Sequence, residues 1–214
     1  MTPPEDIWDE RFIPLWPTHI FQRYLQGGFL HNPVIASIIT AMDAEQADLT
    51  TTYQGVGFLQ RQEPAVAWLR NEITDTLRAY FQHCGISYEV HWDIQAWVNV
   101  NRLGDYHTPH NHGWSYLSGT YYVHIPTADR TGEDDDKGMN PAAITFSDPR
   151  YGAYRHSITE DPNEQARHTI HPKPGTLLLW PASLIHYVHP NHSDDARISV
   201  SFNVILKWEN QYAG

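Results

Sequence analysis

The residues best suited to chemistry stand in one stretch, His107-Thr-Pro-His110-Asn-His112-Gly-Trp-Ser-Tyr-Leu-Ser-Gly-Thr-Tyr-Tyr-Val-His124, which holds four histidines in eighteen residues. His110 and His112 are two apart, so an extended backbone points both imidazoles to one face. Neutral imidazole ligates zinc, copper, iron and nickel, and two on one face make half of a metal site. The other half must come from a distant strand. Pro174-Gly175 predicts a turn and Thr176 to Trp180 an apolar strand, and His186 follows just past it. Eleven residues later comes Arg197-Ile-Ser199.

The elements that must position these groups are legible as periodicities. Gln95, Trp97, Asn99 and Asn101 alternate with Ala96, Val98 and Val100 within Tyr88 to Asn101. Ser118, Thr120, Tyr122 and His124 alternate with Gly119, Tyr121 and Val123, and Arg197, Ser199, Ser201 and Asn203 with Ile198, Val200, Phe202 and Val204. Three strands therefore carry one polar and one apolar face. The polar faces hold Trp, Tyr, Asn and Arg rather than Lys and Glu, which favours a small closed barrel or jelly roll with a polar-lined cavity over a solvated sandwich.

Two helices precede the strands and need an apolar sheet surface to cover. Asn32-Pro33 predicts an N-cap and first turn, continued by Val34, Ile35, Ile38, Ile39 and Met42. Pro64 opens the second helix and Gly85 ends it, with Val66, Leu69, Ile73, Leu77, Tyr80 and Cys84 on one side. Cys84 on that stripe reads as an inert buried thiol. Residues 11–20, with Pro14 and Pro17, predict an edge strand or arm, and residues 48–62 a loop. Residues 127–141 predict an acidic solvated loop, Ala142 to Phe146 a short strand, and residues 150–167 a polar insertion. The fold class is mainly β with flanking helices (α+β). Residues 1–214 read as a single domain, helical over 1–86 and β over 87–208.

The formal charge of −11 over 214 residues disfavours nucleic-acid and membrane partners. With Cys84 as the only cysteine there is no internal disulfide and no cysteine zinc site. The opening residues lack the basic and apolar regions of a secretory signal, so the cytoplasm is expected and the sequon at Asn191 is read as chance.

The motifs His110-Asn-His112, Ser118-Gly-Thr-Tyr-Tyr122, Asp148-Pro-Arg150, Pro174-Gly-Thr-Leu177 and Arg197-Ile-Ser-Val-Ser-Phe-Asn203, in this order, resemble a group of small oxygenases of the Fe(II)/2-oxoglutarate-dependent superfamily. The likeness spans roughly residues 92–206 and implies a jelly roll of the double-stranded β-helix type, with the N-terminal helices on its outer face. By position it implies His110 as first metal ligand, His186 as distal ligand, and His112 where the superfamily has a carboxylate. Asp105 stands five residues before His110, where no triad spacing places a ligand. Arg197 and Ser199 would hold the far carboxylate of 2-oxoglutarate, with Tyr122 beside them and Asn99 positioning the co-substrate. The cofactors implied are Fe(II) and 2-oxoglutarate, and the partners are dioxygen and a small-molecule, amino-acid or peptide substrate to be hydroxylated. His19, His31, His83, His91 and His156 read as structural, as do His107 and His189 after being weighed as lid or supporting residues. Two alternatives stay open: a cupin-like three-histidine dioxygenase that does not use 2-oxoglutarate, and a non-catalytic jelly roll that binds a small molecule.

Overall fold

The computed structural model of the protein describes residues 16–45, 57–126, 143–150 and 166–207. The acidic loop at 127–141, most of the 150–167 insertion, most of the 48–62 loop and His156 lie outside them. The element order is β1 (Phe21–Tyr24), α1 (Gly28–Glu45), a short 3₁₀ turn (Phe58–Gln60), α2 (Pro64–His83), β2 (Trp92–Asn101), β3 (His107–His110), β4 (Leu117–His124), β5 (Ile144–Ser147), β6 (Arg167–Ile170), β7 (Thr176–Pro181), β8 (His186–Val188) and β9 (Arg197–Leu206). All strand pairs are antiparallel, in a major sheet of order β1-β7-β4-β9-β2 and a minor sheet of order β3-β8-β5-β6. This is the expected jelly roll.

Alternation decides where each face goes. The apolar faces of β2, β4 and β9, including Val98, Tyr121, Val200 and Phe202, join one core with Ile35, Ile39, Val66, Leu69, Ile73 and Leu77 of the helices. The two helices thus cover the outside of the major sheet, and each fully buried aliphatic side chain contributes ~1.5–3 kcal/mol. The polar faces turn inward between the sheets. Gly119 permits the tight outer packing, because a Cβ there would meet the Phe202 ring and, at 2.7 Å, the Leu178 carbonyl oxygen. Gly175, at φ +92°, turns the chain into β7.

Several local expectations are corrected. The edge strand described is Phe21–Tyr24, paired with β7; residues 16–20 of the span read from Pro14 and Pro17 are not in a strand, and residues 11–15 lie outside the described residues. Helix α1 begins at Gly28, so Pro33 lies inside it and Asn32 is no cap. Asn32 instead clamps α1 to β4: its Nδ2 donates to the Val123 carbonyl at 2.9 Å, and its Oδ1 accepts from Tyr121 Oη at 2.6 Å. Val34 is exposed, whereas Ile35 and Ile39 are buried. Helix α2 ends at His83 before the stripe reaches Cys84, so the thiol is exposed at the C-cap and Gly85, at φ +78°, ends the helix as expected. Asn191 is buried with its amide donating to the Asn101 and Asp195 carbonyls, so the sequon nitrogen is engaged. Among the described residues no helix is long and apolar enough to cross a membrane.

Candidate metal centre

Two facing rows of side chains build the site. Across the minor sheet the register places His110 opposite His186, His186 opposite Phe146, and Phe146 opposite His168. Across the major sheet it aligns Gln95, Asn203, Ser118 and Trp180, and next to these Trp97, Ser201, Thr120 and Leu178. Asn99, Ser199 and Tyr122 form a further row. One partly open cavity is lined by members of all these rows.

His110, His112 and His186 converge. One ligand nitrogen from each lies within 4.8 Å of the other two, close enough to share one ion. His112 reaches the cluster from beyond the end of β3, fixed by its backbone N–H donating to the Ala182 carbonyl at 2.8 Å. His110 Nδ1 stands 2.6 Å from the Thr108 carbonyl and His186 Nδ1 2.9 Å from the Leu184 carbonyl. A carbonyl only accepts, so both Nδ1 atoms are protonated donors and both Nε2 lone pairs face the cluster. Burial holds His112 down to about 4, with His110 adding to the effect, and burial holds His186 down to about 3. Imidazoles that stay neutral are the form that ligates.

Arg197 is 1% exposed, and its Nη1 donates to the His189 carbonyl at 3.3 Å. Burial lowers its pKa to about 10, with Tyr122 and Asp105 opposing the fall, so it is cationic at neutral pH. Burial pushes the Tyr122 hydroxyl well up, against the pull of the Arg197 charge. Asn99 Nδ2 donates to Ser199 Oγ at 3.3 Å and Ser201 Oγ at 2.9 Å, while its buried Oδ1 has no hydrogen-bond partner. Arg197 is the one charged side chain among the lining residues described. A buried cation with no anionic side chain among the described lining residues suits an incoming anion.

The structure brings all seven sequence-derived residues to this cavity: His110, His112, His186, Arg197, Ser199, Tyr122 and Asn99. Asp105 stays out of the cluster, accepting from the Arg102 backbone N–H at 2.8 Å. His107 also lines the cavity, hydrogen-bonded to Asn101 Nδ2 at 3.2 Å, although it stands three positions before His110. Strict alternation would send these two to opposite faces. A bulge between them, at Thr108-Pro109, resets the register so that His107 pairs with Val188 while His110 pairs with His186. Trp180, 3% exposed, packs at 4.9 Å on His186, and Asn203 approaches His112 at 3.4 Å. The inward alternation of β7 and β9 was the available signal for both. His189 Nε2 pairs with Thr145 Oγ1 at 2.7 Å, and His124 with Asp195 at 2.7 Å.

The sequence profile of a family described as "Putative 2OG-Fe(II) oxygenase" matches residues 95–203. The chain belongs to this family. It is accordingly a 2-oxoglutarate- and iron-dependent dioxygenase, with Fe(II) and 2-oxoglutarate as cofactors. The fold is similar to that of a Pseudomonas putida prolyl-4-hydroxylase, at TM-score 0.58 and 13% identity over 88% of each chain. It is also similar to AviO1 from Streptomyces viridochromogenes Tue57, at TM-score 0.57 and 9% identity over 88% of this chain and 90% of that one. A Trichoplax adhaerens prolyl hydroxylase, in complex with a hypoxia inducible factor oxygen degradation domain peptide fragment, gives TM-score 0.55 and 12% identity over 87% and 83%. At these identities the structural likeness shows a shared fold alone. No curated protein sequence matches the chain. The residues present fit both cofactors: three imidazole nitrogens match borderline Fe(II), and the buried guanidinium matches a dicarboxylate.

Proposed function

We propose that this oxygenase couples oxidative decarboxylation of 2-oxoglutarate to hydroxylation of an unactivated C–H bond on a small molecule or an amino-acid side chain. The observation that supports the reading is the order of groups in one cavity. The three imidazoles cluster around His186 at the start of β8, and the Arg197 guanidinium bonds the carbonyl three residues beyond His186. That separation is roughly 10 Å along an extended chain, within reach of a five-carbon dicarboxylate chelated at one end.

In this reading His110, His112 and His186 hold the metal through Nε2. Arg197 takes the far carboxylate bidentately, and the Ser199 and Tyr122 hydroxyls flank it. Asn99 would serve the keto-acid end of the co-substrate through its Nδ2 donor, which now bonds Ser199 Oγ and Ser201 Oγ. His112, in place of a carboxylate, adds no negative charge, so the dianionic co-substrate itself neutralises the ion. Iron and 2-oxoglutarate, when bound, supply an oxidant able to attack C–H bonds, and the chain supplies orientation and exclusion of water.

A cleft of about 450 Å³ beside the row of His110, His186, Phe146 and His168 suits the primary substrate. Its floor is Phe146, which packs 5.2 Å from Trp180 and 6.1 Å from His186, so an occupant there is one ring away from a ligand. Trp16, Ile20 and Leu184 form apolar walls, and His168 with the Asp148–Arg150 ion pair stands at the polar side. An apolar or aromatic group on a polar body is the chemistry these walls favour. The single cysteine favours the cytoplasm as its compartment.

The test is succinate formation from 2-oxoglutarate in air, which requires added Fe(II), is lost in His186→Ala, and rises with a metabolite extract. Ile20→Trp, which fills the cleft, abolishes that rise and leaves the basal rate unchanged. Oxygen consumption that ignores 2-oxoglutarate would favour the cupin-like reading, and failure to bind metal would favour a non-catalytic binding module.

A further inference from the structure

Asn203 stands in an unassigned position next to the metal centre. It lies on the inward face of β9, between Gln95 of β2 and Ser118 of β4. Its carboxamide makes two contacts: Ser118 Oγ donates to its Oδ1 at 2.8 Å, and its Nδ2 is 3.4 Å from His112 Nδ1. His110 and His186 each have Nδ1 fixed by a backbone carbonyl two residues earlier. His112 is the one ligand of the three whose Nδ1 faces a side chain.

A histidine that ligates through Nε2 keeps its proton on Nδ1, and that proton needs an acceptor. With its nitrogen toward the ring, the Asn203 amide offers a donor to a donor. Its two ends have nearly the same shape, so a half-turn about Cβ–Cγ places Oδ1 on His112 and Nδ2 on Ser118 Oγ with the same neighbours. Ser118 accepts as readily as it donates. We propose that Asn203 is the positioning residue for the third ligand: its amide turns when metal binds, accepts the His112 Nδ1 proton at Oδ1, and donates from Nδ2 to Ser118 Oγ, which becomes the acceptor. The inference rests on the three-histidine metal reading above.

The pair makes His112 adjustable by a single side chain, whereas the other two ligands are set by backbone. Asn203→Ala removes the acceptor and is expected to weaken Fe(II) or Co(II) binding about 10- to 100-fold, the usual effect of losing such a partner. Asn203→Asp is nearly isosteric and presents a charged acceptor, so it is expected to bind metal at least as tightly as the wild type. Ser118→Ala leaves the acceptor but loosens it, and falls between.

The experiment titrates the four purified proteins anaerobically with Co(II), following its visible bands, and records the ring nitrogen–proton spectrum of the Zn(II)-loaded forms. A His112 Nδ1 proton protected from exchange in the wild type and in Asn203→Asp, and lost in Asn203→Ala, carries the proposal. Wild-type affinity in Asn203→Ala, or weaker binding in Asn203→Asp than in Asn203→Ala, overturns it while leaving the metal centre standing. If the wild type binds neither ion, the metal reading falls and this inference with it. Apo-state melting of Asn203→Asp serves as the folding control.

Discussion

Replacing Arg197 with methionine separates a co-substrate anchor from a structural arginine. Burial holds Arg197 at about 10, where arginine ordinarily titrates at 12.5. At ~1.4 kcal/mol per factor of ten, this is about 3 kcal/mol against the charged form in the folded protein. Methionine has similar reach and no charge to desolvate, so the variant escapes that penalty. It loses the bond to the His189 carbonyl, worth roughly 1.5–3 kcal/mol for a charged donor. The two effects oppose, and the apo protein should keep its stability to within about 2 kcal/mol. The co-substrate has no such compensation. Two charge-assisted hydrogen bonds to a carboxylate, at ~1.5–3 kcal/mol each, put the loss at about 3–6 kcal/mol, or on the order of 10²- to 10⁴-fold in affinity. The assay is an anaerobic titration of the Fe(II)-loaded variant with 2-oxoglutarate, alongside urea denaturation of the apo form. Fe(II) binding should persist in the variant, since Arg197 is not one of the three clustered imidazoles. Unchanged 2-oxoglutarate affinity together with a collapse in stability would refute the reasoning and make Arg197 a structural cation.

Three further outcomes follow from the geometry. His112→Asp should retain or tighten Fe(II) binding, because a carboxylate then neutralises part of the ion, yet lower apo stability by leaving a partly buried carboxylate beside Asn203. Fe(II) titration and urea midpoints check both halves, and loss of metal from this variant would contradict the position assigned to His112. Burial holds His107 at about 4 and His186 at about 3, below the ordinary 6.5. The unfolded chain therefore binds more protons across that window, so apo stability is full above pH ~6.5 and falls as the pH drops toward 4. A urea midpoint independent of pH between 7 and 4.5 would count against it. Gly119→Ala drives a methyl into the Phe202 ring and the Leu178 carbonyl, and should destabilise by about 1–3 kcal/mol in a denaturant titration.

The sequence carried the architecture where a periodicity of two was long enough to show which face was polar. The strands β2, β4 and β9 were legible this way, and with them Asn99, Tyr122, Arg197 and Ser199. What it could not display was cross-strand register. His107 hid because a bulge at Thr108-Pro109 defeats the alternation that assigns faces. Asn203 and Ser118 are 85 residues apart, and their bond exists only because β9 lies beside β4. Phe146 and His168 come into line with the ligands through pairings of β5 that no local pattern encodes. The start of α1 was misread because Asn32-Pro33 is a good capping pair in isolation, while tertiary contacts with Tyr121 and Val123 engage the asparagine elsewhere. Cys84 matched the helical stripe in spacing, but the helix ends one residue too early to bury it.

The most direct test of the central claim is the visible spectrum of the anaerobic apoprotein after Fe(II) and then 2-oxoglutarate are added. The account predicts a weak charge-transfer band that needs both additions, disappears in His186→Ala, and requires far more 2-oxoglutarate in Arg197→Met. Iron that binds without giving the band at saturating 2-oxoglutarate would contradict chelation at the three-histidine site.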